Sequence, residues 1–158
     1  MRFFALLFFA SVAFGKDADL CDANEIMIAS CFFDEPQRRI LSICADKGGE
    51  EIFYRFGRKD KVELSTAFSR NKKISRWIDL GTYTTYFGFR VGKYSYIFGI
   101  PEEAYGAKAF LKVKKNQDEI MSRECTENTF GEKLMAAPSI NDVDDEIIRD
   151  SGFIFPPR

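Results

Sequence analysis

Residues 83–100 alternate in two registers about a tight turn at Val91-Gly92-Lys93. Before the turn, Tyr83, Thr85, Phe87, Phe89 and Val91 share one face, and Thr84, Tyr86, Gly88 and Arg90 the other. After it, Tyr94, Tyr96, Phe98 and Ile100 oppose Ser95, Ile97 and Gly99. Period-two alternation in β-forming residues around a glycine turn predicts a hairpin. Residues 25–33, 38–45, 50–57 and 61–66 read as four earlier strands. They are separated by Asp34-Glu35-Pro36-Gln37, Asp46-Lys47-Gly48-Gly49 and Arg58-Lys59-Asp60. Residues 107–114 and 119–125 read as two later strands. Eight short strands in meander order predict an all-β fold, a small eight-stranded antiparallel barrel over residues 16–125. Closure would remove exposed strand edges.

Three segments break the rhythm. Residues 67–80 hold Arg70, Lys72, Lys73 and Arg76, then Trp77, and read as a long basic loop, a length that is often functional. Residues 126–158 read as an acidic tail, partly disordered or carrying one short helix on which Val143, Ile147 and Ile148 form a stripe. Phe153 and Phe155 near its end either stay mobile or dock onto the barrel or a partner. Residues 1–15 open with Arg2, run apolar for about twelve residues and end Ala13-Phe14-Gly15, the pattern of a secretory signal peptide. Its length is short of a membrane span, so no stable membrane anchor is expected after cleavage.

Composition narrows the function classes. Without Arg2 the chain carries 22 basic and 24 acidic side chains, with the acids concentrated beyond residue 126. That balance gives no footprint for nucleic acid. The 4 cysteines, Cys21, Cys31, Cys44 and Cys125, are an even set in an exported chain and read as two disulfides. Meander geometry places the ends of the second and eighth strands on one rim, which favours Cys44 with Cys125 and leaves Cys21 with Cys31. Histidine is absent and no Cys-x-x-Cys occurs, so no metal site, cofactor or Ser-His or Cys-His nucleophile is expected. The neighbouring acids Glu50-Glu51 point to opposite faces of a strand and cannot flank one substrate. The chain is therefore expected to have no catalytic residues.

Binding fits better. Aromatic residues make up 15% of the chain, and exposed Tyr, Trp and Arg anchor protein interfaces. The candidate contacts are the basic loop with Arg70, Lys72, Lys73, Arg76 and Trp77, together with Arg90, Lys93 and Tyr94 on the central hairpin.

Leu41-Ser42-Ile43-Cys44, Tyr54-Arg55-Phe56-Gly57 and Val62-Glu63-Leu64 form one familiar segment, and Phe89-Arg90-Val91-Gly92-Lys93-Tyr94-Ser95-Tyr96 another. With Cys125 closing the last strand, they resemble a widespread type of small exported bacterial protein that looks like a compact eight-stranded barrel. In size, export and cysteine placement these are distantly similar to periplasmic lysozyme inhibitors. The resemblance implies a periplasmic or secreted protein that occludes a protein partner such as a cell-wall hydrolase. The turn departs from the inhibitory loop of that type: Val91-Gly92-Lys93-Tyr94 lacks its serine and sets Gly and Tyr two apart instead of three. The competing expectation is a carrier barrel for a small molecule or lipid.

Overall fold

The computed structural model describes residues 19–102 and 104–157, and for 127–130 the backbone alone. The expected signal peptide lies outside the described residues. Eleven strands and one short helix are present among those described. They are β1 (Glu25–Phe32), β2 (Ile40–Asp46), β3 (Ile52–Arg58), β4 (Lys61–Phe68), β5 (Ile74–Asp79), β6 (Thr84–Val91), β7 (Tyr94–Ile100), β8 (Phe110–Lys115), β9 (Asp118–Glu124), β10 (Glu127–Phe130), β11 (Ile140–Val143) and α1 (Asp145–Asp150).

The all-β expectation holds, but the strands form two sheets instead of one closed eight-stranded barrel. One sheet runs β10-β1-β2-β3-β4 and the other β11-β5-β6-β7-β8-β9. The difference starts at residues 67–80. The expected loop contains β5, which pairs with β6 and not with β4. The chain therefore leaves the first sheet at Phe68 and starts a second.

The sheets share one interior. Ile28, Leu41, Ile43, Ile52, Tyr54 and Phe68 from the first meet Phe87, Phe89, Phe98, Ile100 and Leu111 from the second. Phe89 is the hub. Its ring stacks on Tyr96 at 5.0 Å and meets Tyr54 and Phe68 edge-on at 4.8 and 5.2 Å. Such pairs add roughly 0.5–1.5 kcal/mol each beyond the area they bury.

Residues beyond Cys125 tie the two sheets together. β10 extends the first sheet antiparallel to β1, and β11 lies parallel to β5 at the edge of the second. Between them Met135 and Ala137 pack against the interior. After α1 the chain crosses the outer face of the second sheet, where Phe155 and Ile148 are buried with Trp77 and Ile97. Of the two terminal phenylalanines, Phe155 docks and Phe153 stays half exposed.

Both disulfide pairings differ from the expectation: Cys21 joins Cys44, and Cys31 joins Cys125. The reason is strand parity. In β2, Leu41, Ile43 and Ala45 face the interior, so Ser42 and Cys44 face outward. Cys31 and Cys125 both belong to the interior cluster, out of reach of Cys44. Outside, residues 19–22 lie over the first sheet. Leu20 N–H donates to Ser42 Oγ (2.9 Å), and Arg55 donates to Leu20 O (3.2 Å) and to both carboxylate oxygens of Glu25 (2.5 and 2.7 Å). Two disulfides, with no free cysteine among the described residues, fit an oxidising, extracytoplasmic compartment. No helix among the described residues is long and apolar enough to cross a membrane.

The bridges close loops of different span, 94 and 23 residues. Loop-closure entropy then predicts that replacing Cys31 and Cys125 by Ser costs about 4.7 kcal/mol, against about 3.4 for Cys21 and Cys44. Urea unfolding of the two double variants measures this; the reverse ranking would contradict the loop-closure account.

Glu25 gives a second expectation. Burial pushes its carboxyl up, but hydrogen bonds from Arg55 and the Asp22 N–H outweigh this and hold it below the usual value of 4.5. Between its folded value and about 4.5 the unfolded chain binds a proton that the folded chain does not. This contribution is complete above that window and is lost as pH falls through it. Glu25→Gln should remove that part of the acid sensitivity, read from urea midpoints as the pH is lowered from neutrality through the window.

Candidate functional site

The outer face of the second sheet decides what becomes of several expected contact residues. Trp77 on β5 and Tyr86 on β6 are register partners whose rings stack at 4.6 Å. Two glycines make room on this face. A Cβ on Gly88 would stand 2.6 Å from the Phe155 ring, and one on Gly99 2.3 Å from the Phe110 ring. Glycine leaves the space that these rings occupy against the sheet.

Arg90 fixes the end of the chain there. Its guanidinium donates to Pro156 O (2.5 and 3.1 Å), Pro157 O (3.2 Å) and Ser95 Oγ (2.8 Å). Trp77 Nε1 donates to Asp145 (2.8 Å). Arg76 is 6% exposed and grips Asp142 with two hydrogen bonds (2.6 and 2.9 Å), and also donates to Lys133 O and Met135 O (3.1 and 2.8 Å). Arg76, Trp77 and Arg90 thus hold the C-terminal segment in place. Strands β5 and β6 give them fixed directions that a loop would not.

The other expected contacts are more open. Arg70, Lys72 and Lys73 are exposed on the turn between β4 and β5, with Arg70 3.5 Å from Glu50 and Lys72 over the Phe68 ring. Lys93 is exposed in the β6–β7 turn over the Tyr94 ring, and Tyr94 is half-buried against the interior. The eight residues are therefore divided between the C-terminal clamp and two separate turns.

A different rim presents apolar groups. Leu80 (62% exposed), Tyr83 (60%) and Phe153 (53%) surround the junction of the β5–β6 turn with α1. Asp79 is the hub. Its carboxylate accepts from Gly81 N (2.8 Å), Thr82 Oγ1 (3.0 Å) and Arg149 (2.5 Å), and its carbonyl accepts from Tyr83 N (2.7 Å). Arg149 also donates to Asp145 (2.7 Å) and lies over the Phe153 ring. That Arg149 hydrogen bond holds the Asp145 carboxyl below the usual carboxylate range against a smaller upward push from burial, with Trp77 adding to the lowering. Tyr83 and Phe153 both take left-handed backbone conformations, φ 53° and 63°. Such a conformation costs a bulky residue roughly 1–2 kcal/mol and is sustained by its surroundings.

A cavity of about 90 Å³ opens between the two sheets, lined by Tyr54, Phe56 and Leu64 from one and Tyr96, Leu111 and Met121 from the other. Arg39, Glu35 and Arg123 also border it. The Tyr54 hydroxyl is buried and has no hydrogen-bond partner among the described residues. Burial pushes its pKa far above the ordinary tyrosine range, so it stays a neutral O–H. A buried hydroxyl without a partner costs about 1–3 kcal/mol. Cys21, Glu25 and Cys44 also converge, but both sulfurs are in the disulfide and offer no thiolate for a metal.

The sequence signals for this arrangement were present but easily misassigned. Gly88 and Gly99 sit among aromatics on the outward register of the hairpin, where a glycine marks close approach of another group. Tyr54 carries no local sign of its missing partner.

Replacing Arg76 by Ala should orphan the carbonyls of Lys133 and Met135 and destabilise the chain by about 2–3 kcal/mol. The same change at Lys93 should cost less than about 0.5 kcal/mol. Urea unfolding tests the contrast, and hydrogen exchange of the β11 amides should accelerate in Arg76→Ala. No family model, curated protein or solved structure matches the chain in comparison, so the functional reading rests on this geometry.

Proposed function

We propose that the chain is an exported, non-catalytic binding protein, periplasmic or secreted, whose partner is a protein. One observation carries the reading. Two bulky aromatics, Tyr83 and Phe153, are held in left-handed backbone conformations with more than half of each exposed, on one rim with Leu80. Apolar burial does not account for rings that remain in water. Backbone strain of this kind clusters at binding and catalytic sites. Tyr and Phe with an adjacent Arg are residue types that anchor interfaces, and Arg149 is that neighbour.

The rim is also firmly built. Asp79, Arg149 and Asp145 fix the turn and the helix to each other, so the backbone that carries the rim is set before docking. A cell-wall hydrolase is the partner class to be examined first, given the resemblance to exported inhibitors. The contact surface proposed is this rim and not the Val91–Tyr94 turn, which lacks the serine of the inhibitory loop. The exposed lysines and Arg70 on the β4–β5 turn would tune the rate of encounter with an acidic partner.

The test uses immobilised mature protein and the Tyr83→Ser/Phe153→Ser double variant, matched by melting temperature, with periplasmic or secreted extract. The wild type should retain a defined protein that the double variant loses at least tenfold, the loss of about 1.4 kcal/mol of contact energy. Equal retention by both would remove the rim from consideration. Purified muralytic enzymes of the same compartment test the partner class separately: no inhibition and no binding by any of them would exclude it.

A further inference from the structure

We infer that the groove on the outer face of the second sheet, beside the C-terminal segment, is a binding site for a small aromatic carboxylate, its ring among the groove's aromatic side chains and its acid group on Lys114. The inference does not rest on the protein-partner reading, although Phe153 borders both this groove and the rim.

Strand register builds the groove. Trp77, Tyr86, Gly99 and Phe110 are successive register partners across β5, β6, β7 and β8. The Phe110 ring lies over Gly99 and meets Tyr86 edge-on at 6.0 Å, so this row is aromatic from end to end. The next row holds Gly88, Ile97 and Lys112, and the one after it Arg90, Ser95 and Lys114. The C-terminal segment covers the β6 end of both rows. Phe155 fills the space over Gly88, and the carbonyls of Pro156 and Pro157 accept from Arg90. Between Phe155 and the two lysines a groove of about 220 Å³ remains, with Ile97 among its lining.

Size and lining select the ring. An apolar cavity of about 150 Å³ takes up benzene, so this groove has room for one ring and its acid group. Its walls carry five aromatic side chains, which favour edge-on or offset contact with a further ring.

Charge selects the acid. The chain's own cations already lie over two of the rings, Lys112 over Phe110 at 5.5 Å and Arg149 over Phe153 at 5.4 Å, which disfavours a cationic ligand. Asp79, the carboxylate bordering the groove, accepts from Arg149, Gly81 N and Thr82 Oγ1. Lys112 is 3.2 Å from Glu119. Lys114 is half-buried and, unlike these two, has no ion-pair partner among the described residues. A carboxylate held by the rings beside it would supply one.

Benzoate and benzamide are both planar and alike in size, and differ in charge; hexanoate keeps the charge without the ring. Each would be titrated into the protein while the indole N–H of Trp77, the sole tryptophan, and the methyls of Ile97 are followed by NMR. Benzoate should shift both saturably and bind about two- to fivefold more tightly than benzamide, the worth of one partly exposed ion pair. Hexanoate should bind more weakly than benzoate. In Lys114→Gln the preference for benzoate should vanish while benzamide still binds. Tyr83→Ser, on the rim and outside the groove, should leave benzoate affinity unchanged. The inference is overturned if benzoate moves neither signal, if benzamide or hexanoate binds the wild type as tightly, or if Lys114→Gln keeps the preference. It is overturned equally if Tyr83→Ser loses benzoate, which would place the acid on the rim.

Discussion

A sheet with apolar side chains on both faces has to be covered twice, and the rest of this structure follows from that constraint. The β6–β7 hairpin turns Phe87, Phe89 and Phe98 inward and Tyr86 and Ile97 outward. One sheet packed against it can shield only the first set. The outer set would be left in water, at a cost of about 25 cal/mol for each Å² of apolar surface. The C-terminal segment supplies the second cover. It arrives by way of β10 and β11, places Ile148 and Phe155 on Trp77 and Ile97, and is held down at its end by Arg90. Gly88 and Gly99 flatten the sheet surface where rings have to lie close.

The same parity governs the first sheet, with milder consequences. Its outer face carries Ser30, Ser42, Cys44 and Arg55, and its aromatics Phe53 and Phe32 lie under Arg55 and Arg38. A short strap suffices there. Residues 19–22 satisfy Ser42 and Arg55, and the Cys21–Cys44 bridge secures the strap covalently. The Cys31–Cys125 bridge works inside, at the point where the chain passes from β9 back to β10. Each disulfide therefore fixes a crossing that hydrogen-bonded pairing within one sheet does not hold. The result is a small domain in which residues 19–22 and the segment after β11 both make structural contacts.

Against this background the exposed rim and the cavity between the sheets differ in kind. The rim of Leu80, Tyr83 and Phe153 is apolar surface that the covering segment leaves in water although it is close enough to bury Trp77. The cavity at Tyr54 is a place where the two sheets do not quite fill the space between them. One offers exposed area to a large partner; the other is a small, mostly apolar opening bordered by Glu35, Arg39 and Arg123. A partner on the rim would bury the Phe153 ring beside Arg149, which Asp79 holds in place.

Period-two alternation by itself determined the all-β class, most strand positions and the central hairpin, because a strand exposes its pattern one residue at a time. An even set of four cysteines with no Cys-x-x-Cys spacing pointed to two disulfides. Tertiary structure alone decided how the strands divide into sheets. That division depends on whether β5 pairs with β4 or β6, and Ile74 to Asp79, with Arg and Trp interleaved, carries no local mark of its partner. It also decided the disulfide pairing, although the placement of Ser42 beside Cys44 in the outward register of β2 was a readable hint. Arg76, Trp77 and Arg90 looked like contact residues because an arginine or tryptophan in isolation has the same composition whether it meets a partner or its own chain. The distant segment that each one holds, 50 or more residues away in sequence (Lys133 to Pro157), is fixed only when the chain closes on itself.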